Sequence, residues 1–346
     1  MRCNSTLLFG SLTFLLLATV VTATGMGYIA IPAKAVIQTI CANTLGLVPT
    51  GQEISQTFST IIMDVRLPRI LAATLVGGGL AVAGCIFQAI LLNPLADPYT
   101  LGISSGAAFG ASTAFILSML GLTLPLTFSV PIFAFCGALA TLAAVFALSA
   151  GDAQLSSNTL ILSGVIVAAI LSAAIGFMKY MADEEVNVII FWLMGSFTGK
   201  SWQDVGLLLI ILCPGLLFCC YFARDLNIMA LGNATANTLG VDTAQLRRQL
   251  LICASLITAS CVAVSGVIGF IGLIVPHMLR MIAGPDNRIL LPATFLAGGM
   301  LLLFADTITR AVLPHEIPIG VLTALIGGPF FCYIFRRRQM GVAYGR

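Results

Sequence analysis

Three arginines are placed where they could bind an acid: Arg66 and Arg69, within the run R-L-P-R, and Arg310. A guanidinium is a planar fork that grips a carboxylate at two points, so three together would form a site for an acidic partner. Each alone would equally well snorkel to water from a membrane interface. Asp306 lies one helical turn before Arg310, the spacing of an i,i+4 ion pair. It is also the one carboxylate deep in an apolar stretch, where acids are functional candidates by default. His277 and His315 are too far apart to make a metal cluster by spacing, so no metal site is expected. The run Gly195–Ser201, G-S-F-T-G-K-S, ends like a phosphate-binding loop, but Met194 occupies the place of the first required glycine. With no strand before it and no helix cap expected after it, the chain is read as having no ATP site. No catalytic constellation appears at any one depth, so no enzyme activity is expected.

These residues sit in a chain that is 59% hydrophobic and 8% charged, with mean hydropathy +1.07. Soluble domains carry about 25% charged residues. Between Asp97 and Asp152 there is no Asp, Glu, Lys or Arg, a gap long enough for two crossings of a hydrocarbon core about 30 Å thick. The expected fold is therefore an all-α integral membrane protein, a single transmembrane domain over residues 1–346. Apolar stretches of spanning length run near 7–31, 70–92, 98–121, 124–150, 158–181, 204–223, 249–266, 267–282, 290–309 and 318–335, which predicts about ten helices, the eighth rather short. The first exceeds the roughly 7–15 residues of a signal-peptide core and reads as a retained span. Val186 to Phe197 is too short to cross and reads as an interfacial helix. Eight of the ten cysteines lie inside apolar runs, where Cys behaves as a small hydrophobe. Cys3 and Cys41 fall outside, on opposite sides, so no disulfide framework is implied.

Orientation follows from the loop cations, which accumulate on the cytoplasmic side. With the N-terminus inside, the inner loops hold Arg2, Arg224, Arg247, Arg248, Arg280, Arg288, Arg336, Arg337, Arg338 and Arg346, ten in all. The outer side holds six: Lys34, Arg66, Arg69, Lys179, Lys200 and Arg310. Both termini are expected in the cytoplasm. Small residues mark close helix packing, since association in lipid depends on backbone approach: Gly77, Gly78, Gly79 and Gly84 in the second stretch, and Gly102, Gly106 and Gly110, predicted to line one face of the third. Ala81 to Pro94 and Ala263 to Pro276 match in register at Ala, Val, Gly, Ile, Leu and Pro, an odd number of spans apart. Copies running in opposite directions are the mark of inverted-repeat transporters.

Two further motifs punctuate the chain. In N-P-L-A-D-P, Asn93 to Pro98, Asp97 is a good N-cap and Pro98 suits a first helical position, predicting that the third helix starts there. From Arg224 to Arg248 runs the longest inner loop, where Gly232 before Asn233 and Gly240 before Asp242 read as stops and restarts of short helices. Their apolar residues, Leu231, Leu239 and Val241 among them, need a cover of lipid headgroups or of a partner protein.

With these motifs in view, the chain resembles the iron-chelate and cobalamin permease family of ABC importers over nearly its whole length. The matching runs are R-L-P-R at Arg66 to Arg69, N-P-L-A-D-P followed by L-G-I-S-S-G-A, A-L-G-N-A-T-A-N-T-L-G-V at Ala230 to Val241, G-F-I-G-L-I-V-P-H-M-L-R at Gly269 to Arg280, and I-P-I-G at Ile317 to Gly320 leading into T-A-L-I-G-G-P.

The resemblance implies a ten-span subunit of the bacterial inner membrane that pairs with a second copy or a paralogue around a path at their interface. Cytoplasmic ATPase subunits, which carry the ATP, would seat on Leu231, Gly232, Leu239, Gly240 and Val241. A periplasmic binding protein would dock on Arg66, Arg69 and Arg310. The inner gate would form from Asn93, Leu95, Ser157 and Asn158, and the path would be nearly uncharged, lined by small, Ser and Met side chains. No cofactor is implied for this chain itself. The substrate would be a ferric siderophore, or alternatively cobalamin or haem. An ion-coupled secondary transporter is the rival class, since inverted repeats suit it equally.

Overall fold

In the computed structural model, residues 5–27, 29, 31–45, 56–122, 125–152, 155–311 and 316–343 are described, the side chains of Thr44, Leu45, Gln56, Ile334, Phe335 and 337–343 excepted. The expectations placed on Arg2, Cys3, His315 and Arg346, and on the side chains of Arg337 and Arg338, lie outside the described residues. Among those residues every regular element is helical. In chain order they are α1 (Ser5–Gly25), α2 (Ala33–Leu45), α3 (Gln56–Thr60), α4 (Leu67–Ile90), α5 (Ile103–Met119), α6 (Leu126–Leu148), α7 (Ser157–Met181), α8 (Val186–Leu193), α9 (Trp202–Tyr221), α10 (Ala223–Met229), α11 (Asn233–Thr238), α12 (Thr243–Ser265), α13 (Ile271–Ala283), α14 (Asn287–Ala311) and α15 (Ile319–Ala343).

Among the described residues, seven helices are long and apolar enough to cross a membrane: α1, the 34-residue run Thr57–Ile90, α6, α7, α9, α12 and α14. Three of the ten apolar stretches fall on shorter apolar helices, α5, α13 and Ile319–Tyr333 of α15. The run through α3 and α4 passes a π-helical turn at Ile61–Arg66. Pro68 follows in the first turn of α4, and its missing N–H removes an ordinary i→i−4 bond, a local cause for the widened turn.

Helix α4 is the axis of the bundle, buried almost throughout, and its glycines explain how. A Cβ on Gly77 would lie 2.4 Å from the Gly298 carbonyl oxygen of α14, and one on Gly84 would lie 1.9 Å from that of Gly272 in α13. The same device joins α5 to α6, where a Cβ on Gly110 would lie 2.0 Å from the Phe133 oxygen and one on Gly137 2.3 Å from that of Gly106. In lipid such backbone contact supplies the dispersion energy and short-range packing that hold helices together. One continuous buried apolar cluster results, running from Leu8 to Ile319.

Several boundaries differ from the expectations. Helix α5 begins at Ile103, not at Pro98, because Asp97 Oδ1 accepts from the main-chain N–H groups of Tyr99 and Thr100, both at 3.0 Å, and so caps a single turn. Gly102 ends that turn at φ 74°, outside the helix, and faces Gly164 of α7, whereas Gly106 and Gly110 face α6. Only two of the three glycines therefore share a face. The two matching segments also fold differently: the first stays helical to Ile90, while the second unwinds from Gly266 to Phe270. Gly266 has φ 72° and ψ −167°, a region open essentially to glycine alone. Ser265 O, at the edge of the break, accepts from Ser196 N at 2.8 Å, and Tyr99 Oη donates to Ile268 O. Buried non-helical backbone at this depth is tolerated because protein groups satisfy it. Lastly, Ser201 does cap a helix: it opens α9 with a reciprocal capping box to Asp204.

Candidate functional site

Two ends of the bundle carry the polar chemistry. At the first, the end of α1, the start of α4, the end of α14 and the lead into α15 converge. The three sequence-selected arginines meet here, and this chain already fills their forks. Arg66 donates through Nη1 to Thr24 O at 2.6 Å and through Nη2 to Ile29 O. Arg310 donates to Met26 O at 2.6 Å and to Ala23 O. Both flank Gly27, where a Cβ would lie 3.0 Å from Arg66 Nη2 and 3.3 Å from Arg310 Nη1. Arg69 holds two acids: Asp306 through Nε and Nη2, at 2.8–3.2 Å, and Glu316 through Nη1 at 2.8 Å.

The i,i+4 pair expected of Asp306 is present but secondary, with Arg310 Nε at 3.6 Å against 2.8 Å for Arg69. Glu316 also accepts from Thr198 Oγ1 at 2.9 Å, binding the loop before α9 to the cluster. Burial pushes its carboxyl up, but the Arg69 charge, the Thr198 and Arg69 hydrogen bonds and the Arg310 charge outweigh this and leave it below the ordinary range. A cavity of about 200 Å³ lies beside Arg69, Thr198, Asp306 and Glu316.

The second end carries the remaining site residues. Asn93 and Leu95 lie in the turns after α4, where Asn93 Oδ1 accepts from Leu95 N at 3.0 Å. Enclosure pushes the nearby Asp97 carboxyl up to about 6, against the hydrogen bonds from Thr100 and Tyr99. Ser157 and Asn158 open α7, capped by Ser156. Alternation of α4, α5, α6 and α7 puts both loops at this end, and the Thr100–Leu101 backbone packs on Gly164 of α7.

Leu231 and Leu239 are 64% and 59% exposed, flanking α11, and Gly232 and Gly240 turn the chain at φ 101° and 86°. Val241 is half-buried beside them. Polar ties with no signature in local spacing peg this loop to the bundle. Asn227 Nδ2 donates to Asp286 Oδ1 at 2.7 Å and its Oδ1 accepts from Asn287 Nδ2 at 2.9 Å. Arg247, in the first turns of α12, donates to Asn233 Oδ1. A separate tie joins α4 to α13 at this end: Gln88 donates to the carbonyls of Gly272 and Leu273 at 3.2 and 3.3 Å and accepts from Arg280. Among these, a lone amide in an apolar run, as at Gln88, was the one signal the sequence offered.

An apolar groove of about 560 Å³ runs beside Met194, Val267, Gly269, Gly320, Val321 and Leu325, along the unwound segment. Among the described residues no group of three or more His, Cys, Asp or Glu is placed to hold a metal ion.

The model of the FecCD transport family matches residues 15–337. The chain is 41% identical over 289 residues to the cobalamin import system permease of Halobacterium salinarum, covering 83% of this chain and 76% of that one. It is 40% identical over 282 residues to the hemin transport system permease of Yersinia pestis, covering 81% and 84%. A solved inward-facing structure, described as a metal-chelate type ABC transporter, superposes with TM-score 0.83 at 33% identity, covering 96% of this chain and all of that one.

Proposed function

The chain belongs to the FecCD transport family, as a membrane permease subunit and not an enzyme, and from that premise we propose that it imports a ferric siderophore or a related metal chelate across the bacterial inner membrane. The single observation that supports a driven permease most directly is the pegged loop at the second end, with exposed Leu231 and Leu239 flanking the short helix α11 and the loop tied to the bundle by Asn227. Small apolar surfaces of this kind need a protein cover, and cytoplasmic ATPases that bind ATP supply it. This end then faces the cytoplasm, with both termini. Ten helices cross the membrane, and a second copy or paralogue completes the path along the apolar groove, gated by Asn93, Leu95, Ser157 and Asn158.

The opposite end receives an acidic binding protein. Three arginines against Asp306 and Glu316 leave the cluster with a formal net charge of +1, which attracts an acidic surface even though the forks of Arg66 and Arg310 are filled within the chain. Cobalamin and haem remain alternative cargoes, as the names of the two relatives indicate. A secondary carrier is disfavoured because Asp306, the buried acid that could couple to an ion, is held by Arg69.

The test is uptake of labelled ferric siderophore, haem and cobalamin into proteoliposomes holding this chain with its ATPase. Uptake of one compound that requires both ATP and the binding protein is expected. Uptake driven by an ion gradient without ATP overturns the proposal.

A further inference from the structure

The ties that fix α11 continue into the loop at the start of α7. Asn233 opens α11, and its Oδ1 accepts from Arg247 Nη2 at 3.2 Å. Arg247 is only 3% exposed, and its Nη1 donates to Leu155 O, also at 3.2 Å. Leu155 directly precedes Ser156, whose N–H bonds Asp152 Oδ2 at 2.9 Å; that same oxygen accepts from Thr159 Oγ1 at 3.0 Å. The Asp152 charge also acts on Arg247. Ser157 and Asn158 come next in the chain. One buried guanidinium therefore joins the first residue of α11 to the backbone that carries two gate residues.

Burying a guanidinium is costly unless it is paired, and an apolar side chain of similar length would pack here at no such cost. What the fork uniquely provides is two rigid arms at a fixed angle, which a lysine cannot reproduce. The arms reach elements far apart in sequence, Leu155 at a separation of 92 residues and Asn233 at 14.

We propose that Arg247 is a positioning residue that carries movement of α11 to the loop opening α7, so that nucleotide-driven motion reaches the gate through Asn233, Arg247 and Leu155. The inference rests on the reading that ATPases seat on α11 and that Ser157 and Asn158 belong to the gate. It requires an element with two arrangements that both sites bias, which is the physical content of coupling.

The experiment is hydrogen exchange on the full assembly of this chain with its ATPases, with and without Mg-ATP and vanadate, reading peptides over 233–240 and 155–160. Asn233→Ala removes one arm and leaves the Leu155 bond intact; Arg247→Lys removes the fork geometry. In the unaltered assembly both peptides respond to nucleotide. Loss of a hydrogen bond to a charged group is expected to cut the 155–160 response about tenfold or more. The 233–240 response and the rate of ATP hydrolysis stay within about twofold, a split that a merely structural role would not give, since misfolding lowers all three together. If the 155–160 response survives in Asn233→Ala, or in both variants, the inference is overturned. If 233–240 gives no response even without substitution, the seating of ATPases on α11 fails instead.

Discussion

Asp306→Asn and Glu316→Gln remove the two carboxylates of Arg69, and the structure predicts very unequal costs. Asp306 is 1% exposed, takes two nitrogens of Arg69 at 2.8–3.2 Å, and is also the acid 3.6 Å from Arg310. Removing its charge leaves two guanidiniums, 15% and 8% exposed, facing each other without their shared counterion. Breaking a buried pair from one side costs about 3–5 kcal/mol. Glu316 is 46% exposed and touches one nitrogen, so solvent screening limits it to about 0–1 kcal/mol. The difference of at least about 2 kcal/mol is a factor of roughly 30 in the unfolding equilibrium. Detergent-driven unfolding of the purified chain in mixed micelles measures both variants. A cycle with Arg69→Met should return a coupling energy of about 0.5–3 kcal/mol with Asp306→Asn. Equal destabilisation by the two substitutions, or additivity in the cycle, would refute the reasoning.

Gly84→Ala places a methyl 1.9 Å from the Gly272 oxygen, so α4 and α13 separate, and a loss of more than the roughly 1–3 kcal/mol of ordinary overpacking should appear as a collapse of monodisperse yield. Gly240→Pro demands φ near −65° where the chain has 86° and deletes the N–H that bonds Asn237 O at 3.1 Å; ATP-driven uptake should be abolished while the helical circular dichroism persists, and intact uptake would sink the coupling role. Asp97, pushed up to about 6, binds its proton more tightly folded than unfolded, so its contribution to stability falls as pH rises from about 4 to 6; Asp97→Asn should flatten that slope in a pH series of melting curves. Asp286, held at about 2 mainly by hydrogen bonding from Arg288, has the opposite sign, with stability present above the ordinary carboxyl pKa and lost only as pH falls toward 2, where Asp286→Asn should be insensitive.

Much of the bundle was legible because hydropathy and glycine placement are local signals. The ten apolar stretches located helices, and the stops at Gly232 and Gly240 located α11, since a positive φ announces itself by glycine. Boundaries failed where side chains intervened. Asp97 reads as a helix cap by type, but whether a capped turn continues depends on Gly102 and on Tyr99 reaching Ile268, 169 residues away. The capping box at Ser201 is readable in S-W-Q-D, a Ser followed three residues later by an acid. Glu316 and Arg247 were not readable in their roles, because no spacing rule links Arg69 to a carboxylate 247 residues later, or Arg247 to the Leu155 carbonyl. The arginines were found as residues, and their partners could be found only in space.

The seating of α1 bears on the order of assembly. Its last carbonyls, orphans in any helix, take donors from Arg66, 42 residues downstream, and from Arg310, 284 and 287 residues downstream. At roughly 5–20 residues per second the second set of donors emerges about 14–60 s after the carbonyls it satisfies. For that interval Arg66 is the one of the two arginines that can hold α1, and Arg310 fastens it only when α14 arrives. A ribosome stalled before Arg310 should therefore display an inserted but unlatched α1, which is among the last parts of the molecule to be locked.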